Sequence, residues 1–176
     1  MQTSADPAAL LELPDNDLLH ECLVDTFRAS GPGGQKRNKT SSAVRLRHEP
    51  TGLAAQATES RSQHENRERA LGRLRREIAL QLRNPVDLET YEPPQRLRAI
   101  LPGSNRIGPR HRDFWNGVQA MLDVFVATGC SVGETARVLG ISTGALSKLI
   151  VSHPDLMARV NALRAQQGLR PLRQDS

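Results

Sequence analysis

Three glycines and one proline occupy four consecutive positions, Gly31-Pro32-Gly33-Gly34, and Gln35 and Lys36-Arg37 follow them directly. Glycines let a ligand approach the backbone closely, and consecutive backbone N–H groups can bind an anion or an oxyanion. The spacing excludes a Walker phosphate loop, which needs Gly, four residues and then Gly-Lys-Ser/Thr, and it excludes the Gly-x-Gly-x-x-Gly dinucleotide pattern. The segment therefore predicts either a loop that presents backbone donors to a ligand or a plain connecting loop.

Basic side chains concentrate around this segment. Residues 28–83 hold thirteen Lys and Arg residues against five acids, whereas residues 1–27 hold six acids and no base. Arg pairs with phosphate bidentately, so a basic block of this kind indicates either a solvated helix face or a surface for nucleic acid. Because a glycine-rich loop lies inside the block, nucleic acid is the favoured interpretation.

One strand and a hairpin are predicted to position the loop. A strand over residues 21–28 runs into it, and residues 43–48 alternate, with Val44, Leu46 and His48 on one face and Arg45 and Arg47 on the other. Residues 49–52, Glu-Pro-Thr-Gly, are typical of a type I turn, after which residues 53–58 return as the partner strand.

A long helix is predicted next, beginning near Ser60 or Ser62, each of which opens a capping box, and ending at Asn84-Pro85. Its apolar stripe consists of Ala70, Leu71, Leu74, Ile78 and Leu82. Its arginines are expected to lie mostly away from that stripe; they are Arg67, Arg69, Arg73, Arg75 and Arg76.

The second half of the chain has a different sequence pattern. Residues 84–112 hold five of the eleven prolines and show little periodicity, so they are predicted to be a linker. Helices resume at Phe114, and serines at 131 and 142 begin two short ones in a pattern that resembles a helix-turn-helix. A DNA-binding regulator is an alternative function, but the candidate recognition helix, 142–150, carries only Lys148 as a charge, whereas base readout favours Arg, Asn or Gln. Docking on a partner is the favoured role of this module.

Composition excludes several other classes of protein and of site. The chain has 176 residues, of which 3% are aromatic, so aliphatic residues must fill its core. It has no apolar run of the length that a membrane helix requires, and its acidic start is unlike a signal peptide, so a cytoplasmic protein is expected. Cys22 and Cys130 have no metal-type spacing and make a poor disulfide framework. We predict no cofactor and no metal, and we expect His48 and His64 to be structural.

The loop and the residues that follow it resemble the GGQ region of class I peptide chain release factors. The resemblance is carried by residues 30–44, Ser-Gly-Pro-Gly-Gly-Gln-Lys-Arg-Asn-Lys-Thr-Ser-Ser-Ala-Val, by residues 48–52, and by residues 59–67, Glu-Ser-Arg-Ser-Gln-His-Glu-Asn-Arg. Gly-Gly-Gln alone would be a weak signal. Several separated motifs in the same order make the resemblance specific over residues 21–83.

The resemblance implies hydrolysis of the ester that joins a nascent peptide to tRNA in the ribosomal peptidyl-transferase centre. It assigns the catalytic role to Gly33, Gly34 and Gln35, with the Gln35 backbone N–H as the oxyanion donor and water as the nucleophile. It implies contacts to rRNA or tRNA from the following residues: Lys36, Arg37, Asn38, Lys39, Arg45, Arg47, Arg61, Ser62, Gln63, Arg67, Arg69 and Arg73. The basic pair Lys36-Arg37 departs from the neutral or weakly basic pair that is common in the family.

Together these observations predict an α+β fold with a small, mainly antiparallel three-stranded sheet, an exposed GGQ loop and one long helix, followed by a small all-α helix-turn-helix-like module. The expected organisation is an acidic segment (1–20), a catalytic domain (21–83), a linker (84–112), a helical module (113–168) and a tail (169–176). The expected function is codon-independent release of peptide from ribosomes, since decoding release factors add a codon-reading domain for which we find no room. A relative that needs a codon-reading partner, or that lacks catalysis, is the alternative.

Overall fold

A computed structural model describes residues 6–28, 42–103, 107–111 and 113–173. The predicted catalytic residues Gly33, Gly34 and Gln35, and the basic stretch 36–39 that follows them, lie outside the described residues. The chain forms two compact units, residues 1–81 and 82–176, and each is described by itself.

The first unit is an antiparallel sheet covered by a long helix, as predicted. Its helices are α1 (Pro7–Glu12), α2 (Asp15–His20) and α3 (Gln63–Gln81), and its strands are β1 (Cys22–Phe27), β2 (Ala43–His48) and β3 (Ala54–Ala57). The strands lie in the order β1-β2-β3, and both pairings are antiparallel. This confirms the predicted hairpin and the strand that precedes the glycine-rich loop.

The alternation predicted for β2 is confirmed residue by residue. Val44, Leu46 and His48 are buried on the face that α3 covers, whereas Arg45 and Arg47 are exposed on the other face. The buried His48 has a partner on each ring nitrogen, with Nδ1 2.8 Å from the Thr51 hydroxyl and Nε2 2.9 Å from a Glu21 carboxylate oxygen. His48 is therefore a structural residue, as expected, and it ties the hairpin turn to the start of β1.

One arginine of α3 was wrongly placed by its sequence pattern. Arg75 is buried, not solvated, and its guanidinium donates to the backbone oxygens of Leu11 and Leu13 at 2.9 and 2.6 Å and to Asp15 Oδ1 at 2.7 Å. The carbonyls at the end of a helix lack intrahelical partners, and Arg75 supplies donors to those at the end of α1. The sequence analysis treated 1–20 only as an acidic segment and did not predict that it forms two short helices.

The second unit is helical. Its elements are α4 (Gln95–Arg98), α5 (Phe114–Ala127), α6 (Val132–Val138), α7 (Thr143–Val151) and α8 (Pro154–Gln166). The region predicted to be a plain linker contains α4, and its Leu97 and Ile100 are fully buried. A close approach requires Gly117 on α5, since a Cβ there would lie 2.5 Å from the Arg96 carbonyl oxygen.

The predicted helix-turn-helix segment consists of α6 and α7. The hydroxyl of Ser131 accepts the Glu134 N–H at the start of α6, and that of Ser142 accepts the Ala145 N–H at the start of α7. Gly140, in the turn between them, has φ +66°, a conformation that glycine adopts without strain. Both caps predicted from the serines are therefore present.

Both cysteines are free. Burial, reinforced by the nearby carboxylate of Glu21, raises the pKa of the Cys22 thiol to about 11. Within the described ranges, no helix is long and apolar enough to cross a membrane. In the same part of the chain, no group of three His, Cys, Asp or Glu side chains is arranged to hold a metal ion.

Candidate catalytic loop and nucleic-acid surface

The ladder between β1 and β2 fixes where the glycine-rich connection begins and ends. The last pair of that ladder joins Phe27 to Ala43, so residues 28–42 form the connection between two neighbouring strands. The two ends of the connection are therefore held side by side by the sheet. Gly33, Gly34 and Gln35 lie in the middle of this connection in the sequence, and their own placement is outside the described residues.

Arg45 lies on the exposed face of the sheet and contacts residues on both neighbouring strands. Its guanidinium carbon lies 5.1 Å from the centre of the Phe27 ring, within the range of a cation–π contact. Its Nε and Nη2 also donate to Gln56 Oε1 on β3, at 3.4 and 3.3 Å. One side chain thus spans all three strands. Arg45 was predicted as an RNA contact, and its guanidinium is already engaged within the protein.

Arg73, another predicted RNA contact, is also engaged internally. It donates from Nη1 to the Gln56 carbonyl oxygen at 2.6 Å and from Nη2 to the Glu59 carboxylate, and so fixes the middle of α3 to β3 and to the segment that follows β3. The hydrogen bond from Arg73 lowers the pKa of Glu59 to about 2. These contacts favour a structural role for Arg73 and explain why an arginine lies at this position.

We expect the Glu59–Arg73 pair to stabilise the fold only above acidic pH. Because the pKa of Glu59 is lowered to about 2 in the folded state, its contribution is complete above its ordinary value of about 4.3 and is lost as the pH falls from about 5 to about 2. Both side chains are about two-fifths exposed, so solvent screening limits the effect to no more than about 1 kcal/mol. A double-mutant cycle of Glu59→Gln and Arg73→Gln, followed by circular dichroism in urea, should give a coupling energy at pH 7 that is mostly lost at pH 2. An equal coupling energy at both pH values would contradict this assignment.

Three of the predicted RNA contacts remain available to a ligand. The side chains of Arg47, Arg61 and Arg67 are exposed and make no ion pair or hydrogen bond with any other residue that the structure describes. Arg69 lies 3.9 Å from Glu65, one turn earlier on α3. Ser62 accepts the Glu65 N–H at 3.4 Å as a helix cap, and Gln63 is exposed at the first position of α3.

Asn66 is a residue whose importance the sequence analysis missed. It is completely buried and lies on α3 in register with Ala70, Leu74 and Ile78, so a polar side chain occupies a core position. Its Nδ2 donates to the Ser42 carbonyl oxygen at 2.6 Å and to the Ser60 carbonyl oxygen at 2.8 Å, and its Oδ1 accepts the Ser60 N–H at 2.9 Å. The signal that could have found it is the four-residue spacing that continues the apolar stripe back to Asn66.

The first half of this chain is similar in sequence to known proteins. Residues 11–99, about half of the chain, match the RF-1 domain family. Over 94 residues the chain is 46% identical to the peptide chain release factor 1 of Leptothrix cholodnii, an alignment that covers 53% of this chain and 25% of that relative. The chain thus spans about a quarter of the length of this curated relative. The match includes the sheet, α3 and the whole 28–42 connection, and on this basis the chain belongs to the RF-1 domain family.

Proposed function

We propose that this chain hydrolyses the ester bond of peptidyl-tRNA on the ribosome and does so without reading a stop codon. The observation that carries the proposal is the family match over residues 11–99, which includes the Gly33-Gly34-Gln35 motif between two paired strands. The relative with 46% identity is a peptide chain release factor. A sheet that holds both ends of the loop together supports a role in which the loop is presented to a substrate.

The chemistry assigned to the loop needs no acidic or nucleophilic side chain. A water molecule attacks the ester carbonyl carbon, the bond to the ribose oxygen breaks, and the peptide leaves as a carboxylic acid while that oxygen takes up a proton. Negative charge develops on the carbonyl oxygen in the transition state, and a fixed backbone N–H stabilises it without reorganisation. In this proposal the Gln35 N–H is that donor, and Gly33 and Gly34 leave room for the end of the tRNA.

The remaining parts of the chain have supporting roles in the proposal. The side chains of Arg47, Arg61 and Arg67, which are exposed and make no ion pair or hydrogen bond with other described residues, pair with phosphates of rRNA or tRNA. The basic stretch 36–39 adds charge beside the motif. The helical module, 113–168, docks on the ribosome or on a protein partner, because α7 exposes mainly small side chains and one lysine, Lys148, a surface poorly suited to base readout.

Codon independence is a separate part of the proposal, and it concerns the part of the chain that follows the matched region. The residues that follow the matched region in this chain form the helical unit that contains α5 to α8. The proposal therefore assigns hydrolysis to the matched half of the chain and leaves codon recognition out of the reaction.

The test is release of labelled peptide from ribosomes stalled on an mRNA without a stop codon. Wild type, Gly34→Ala and Gly72→Ala are compared at equal concentrations. Gly72 is exposed on α3, and a Cβ there would meet no atom within 4 Å, so it is a matched glycine-to-alanine control. We expect release by wild type and by Gly72→Ala, and loss of release in Gly34→Ala.

The same assay distinguishes the alternatives. Release that requires a stop codon in the decoding site would refute codon independence and leave hydrolysis in place. Binding to the ribosome without release under either condition would refute hydrolysis by this chain alone. Failure to bind the ribosome, with binding to duplex DNA instead, would favour the alternative function of a DNA-binding regulator.

A further inference from the structure

The carboxyl end of the catalytic connection is attached to the start of α3 by a single buried side chain. Ser42 is the last residue of the 28–42 connection, and its carbonyl oxygen accepts a hydrogen bond of 2.6 Å from Asn66 Nδ2. This bond joins residues that are 24 positions apart in sequence. It holds the backbone at the point where the connection becomes β2.

The same side chain holds a second segment of backbone. Asn66 donates to the Ser60 carbonyl oxygen at 2.8 Å and accepts the Ser60 N–H at 2.9 Å. Every hydrogen-bonding group except one acceptor lone pair is thus used, and the side chain is fully buried. The three bonds fix Ser42, Ser60 and the first turn of α3 to one another.

This arrangement is specific to an asparagine. An aspartate has the same shape and keeps the acceptor for the Ser60 N–H, but its ionised carboxylate cannot donate to the Ser42 and Ser60 oxygens. An alanine removes all three bonds. A short apolar residue here would suit the stripe formed by Ala70 and Leu74, so packing alone does not explain the amide.

We propose that Asn66 is a positioning residue for peptide release, acting through the Ser42 backbone at the carboxyl end of the 28–42 connection. This inference rests on the proposed function. It follows from geometry, because Asn66 limits the freedom of the Ser42 backbone, which continues in sequence into the segment that carries Gly33-Gly34-Gln35. Rate constants of preorganised reactions are sensitive to this freedom, since a displacement of about 1 Å can cost about 100-fold.

The test compares Asn66→Ala and Asn66→Asp with wild type and with Ile78→Ala. Ile78 is buried on the same stripe of α3, twelve residues further on, and has no contact with Ser42 among those described. It therefore serves as a control for loss of stability in α3. The measurements are the melting temperature, the rate constant of peptide release at saturating protein, and the protein concentration that gives half of that rate.

A fourth measurement does not depend on catalysis. Lys36, Arg37 and Lys39 are trypsin sites within the connection. If Asn66 restrains the root of the connection, its variants should be cleaved at these sites faster than wild type and faster than Ile78→Ala, at a temperature where all of them are folded. Aspartate keeps the bond from the Ser60 N–H but buries a carboxylate opposite two carbonyl oxygens, so the alanine variant serves as the folded variant if the aspartate variant does not fold.

The expected result is a fall of about tenfold or more in the saturating rate constant for both Asn66 variants, with half-saturation within about twofold of wild type. Ile78→Ala should keep the wild-type rate constant despite a lower melting temperature. Asn66 variants that follow Ile78→Ala in rate and in cleavage would overturn the assignment and leave Asn66 with a purely structural role. If wild type releases no peptide, the proposed function fails, and the trypsin comparison alone decides whether Asn66 holds the connection.

Discussion

Replacement of Gln35 by proline is expected to lower the rate constant of peptide release by at least about 100- to 1,000-fold, the effect of removing one oxyanion donor. Proline has no backbone N–H, so this substitution deletes the donor that the proposal places at the developing oxyanion. Gln35→Ala keeps the N–H and removes only the side chain, so its loss should be clearly smaller. The measurement is single-turnover release of labelled peptide from stalled ribosomes at saturating protein.

The ratio of the rate constants of the two variants distinguishes a backbone donor from an effect of the glutamine side chain. Circular dichroism and ribosome binding should be the same for both, because residue 35 lies in sequence between β1 and β2 and is not one of the residues that form those strands or α3. Equal losses of rate in the proline and alanine variants would contradict a backbone donor and assign the catalytic effect to the glutamine side chain. A proline variant that binds the ribosome more weakly would be compared by its rate of release per bound protein.

The core of the first unit could be predicted because its pattern is local. The alternation in β2 and the stripe on α3 follow from side-chain periodicity, and the serines that begin α3, α6 and α7 are local signals too. Arg75 could not be placed in this way. It is buried because the carbonyl oxygens of Leu11 and Leu13, more than sixty positions away, need donors.

The candidate site shows the same division between local and distant information. The Gly33-Gly34-Gln35 motif is readable directly, and the exposed Arg47, Arg61 and Arg67 follow from the basic composition of residues 28–83. Which arginines are already engaged could not be predicted, because the partners of Arg45 and Arg73 lie on β3 and beside it. Asn66 was missed for the same reason, since its bond to Ser42 exists only after β2 and α3 have packed.

The helical unit contains a buried carboxylate on which three groups converge. Asp123, on α5, is 6% exposed. Its Oδ1 accepts the Asn84 N–H at 3.0 Å and lies 3.5 Å from an Arg83 nitrogen. Its Oδ2 accepts a hydrogen bond of 2.6 Å from Gln119 Nε2. Burial raises the pKa of Asp123, and burial lowers the pKa of Arg83 to about 10. Desolvation therefore disfavours both charges, and the hydrogen bonds are the main stabilising contribution of this residue.

Asp123→Ala is accordingly expected to lower the free energy of unfolding of this unit by about 3–5 kcal/mol, because it removes the acceptor of two buried donors and the counter-charge of Arg83. Trp115, the only tryptophan in the chain, lies on α5, so its fluorescence in urea reports on this unit. Asp123→Asn keeps the shape and one acceptor oxygen and should cost clearly less than the alanine variant.

Since the folded-state pKa of Asp123 is raised, wild type loses stability relative to Asp123→Asn as the pH rises from about 4 through that pKa. If wild type instead gains stability relative to Asp123→Asn as the pH rises, the ion pair with Arg83, and not the hydrogen bonding, dominates at this position.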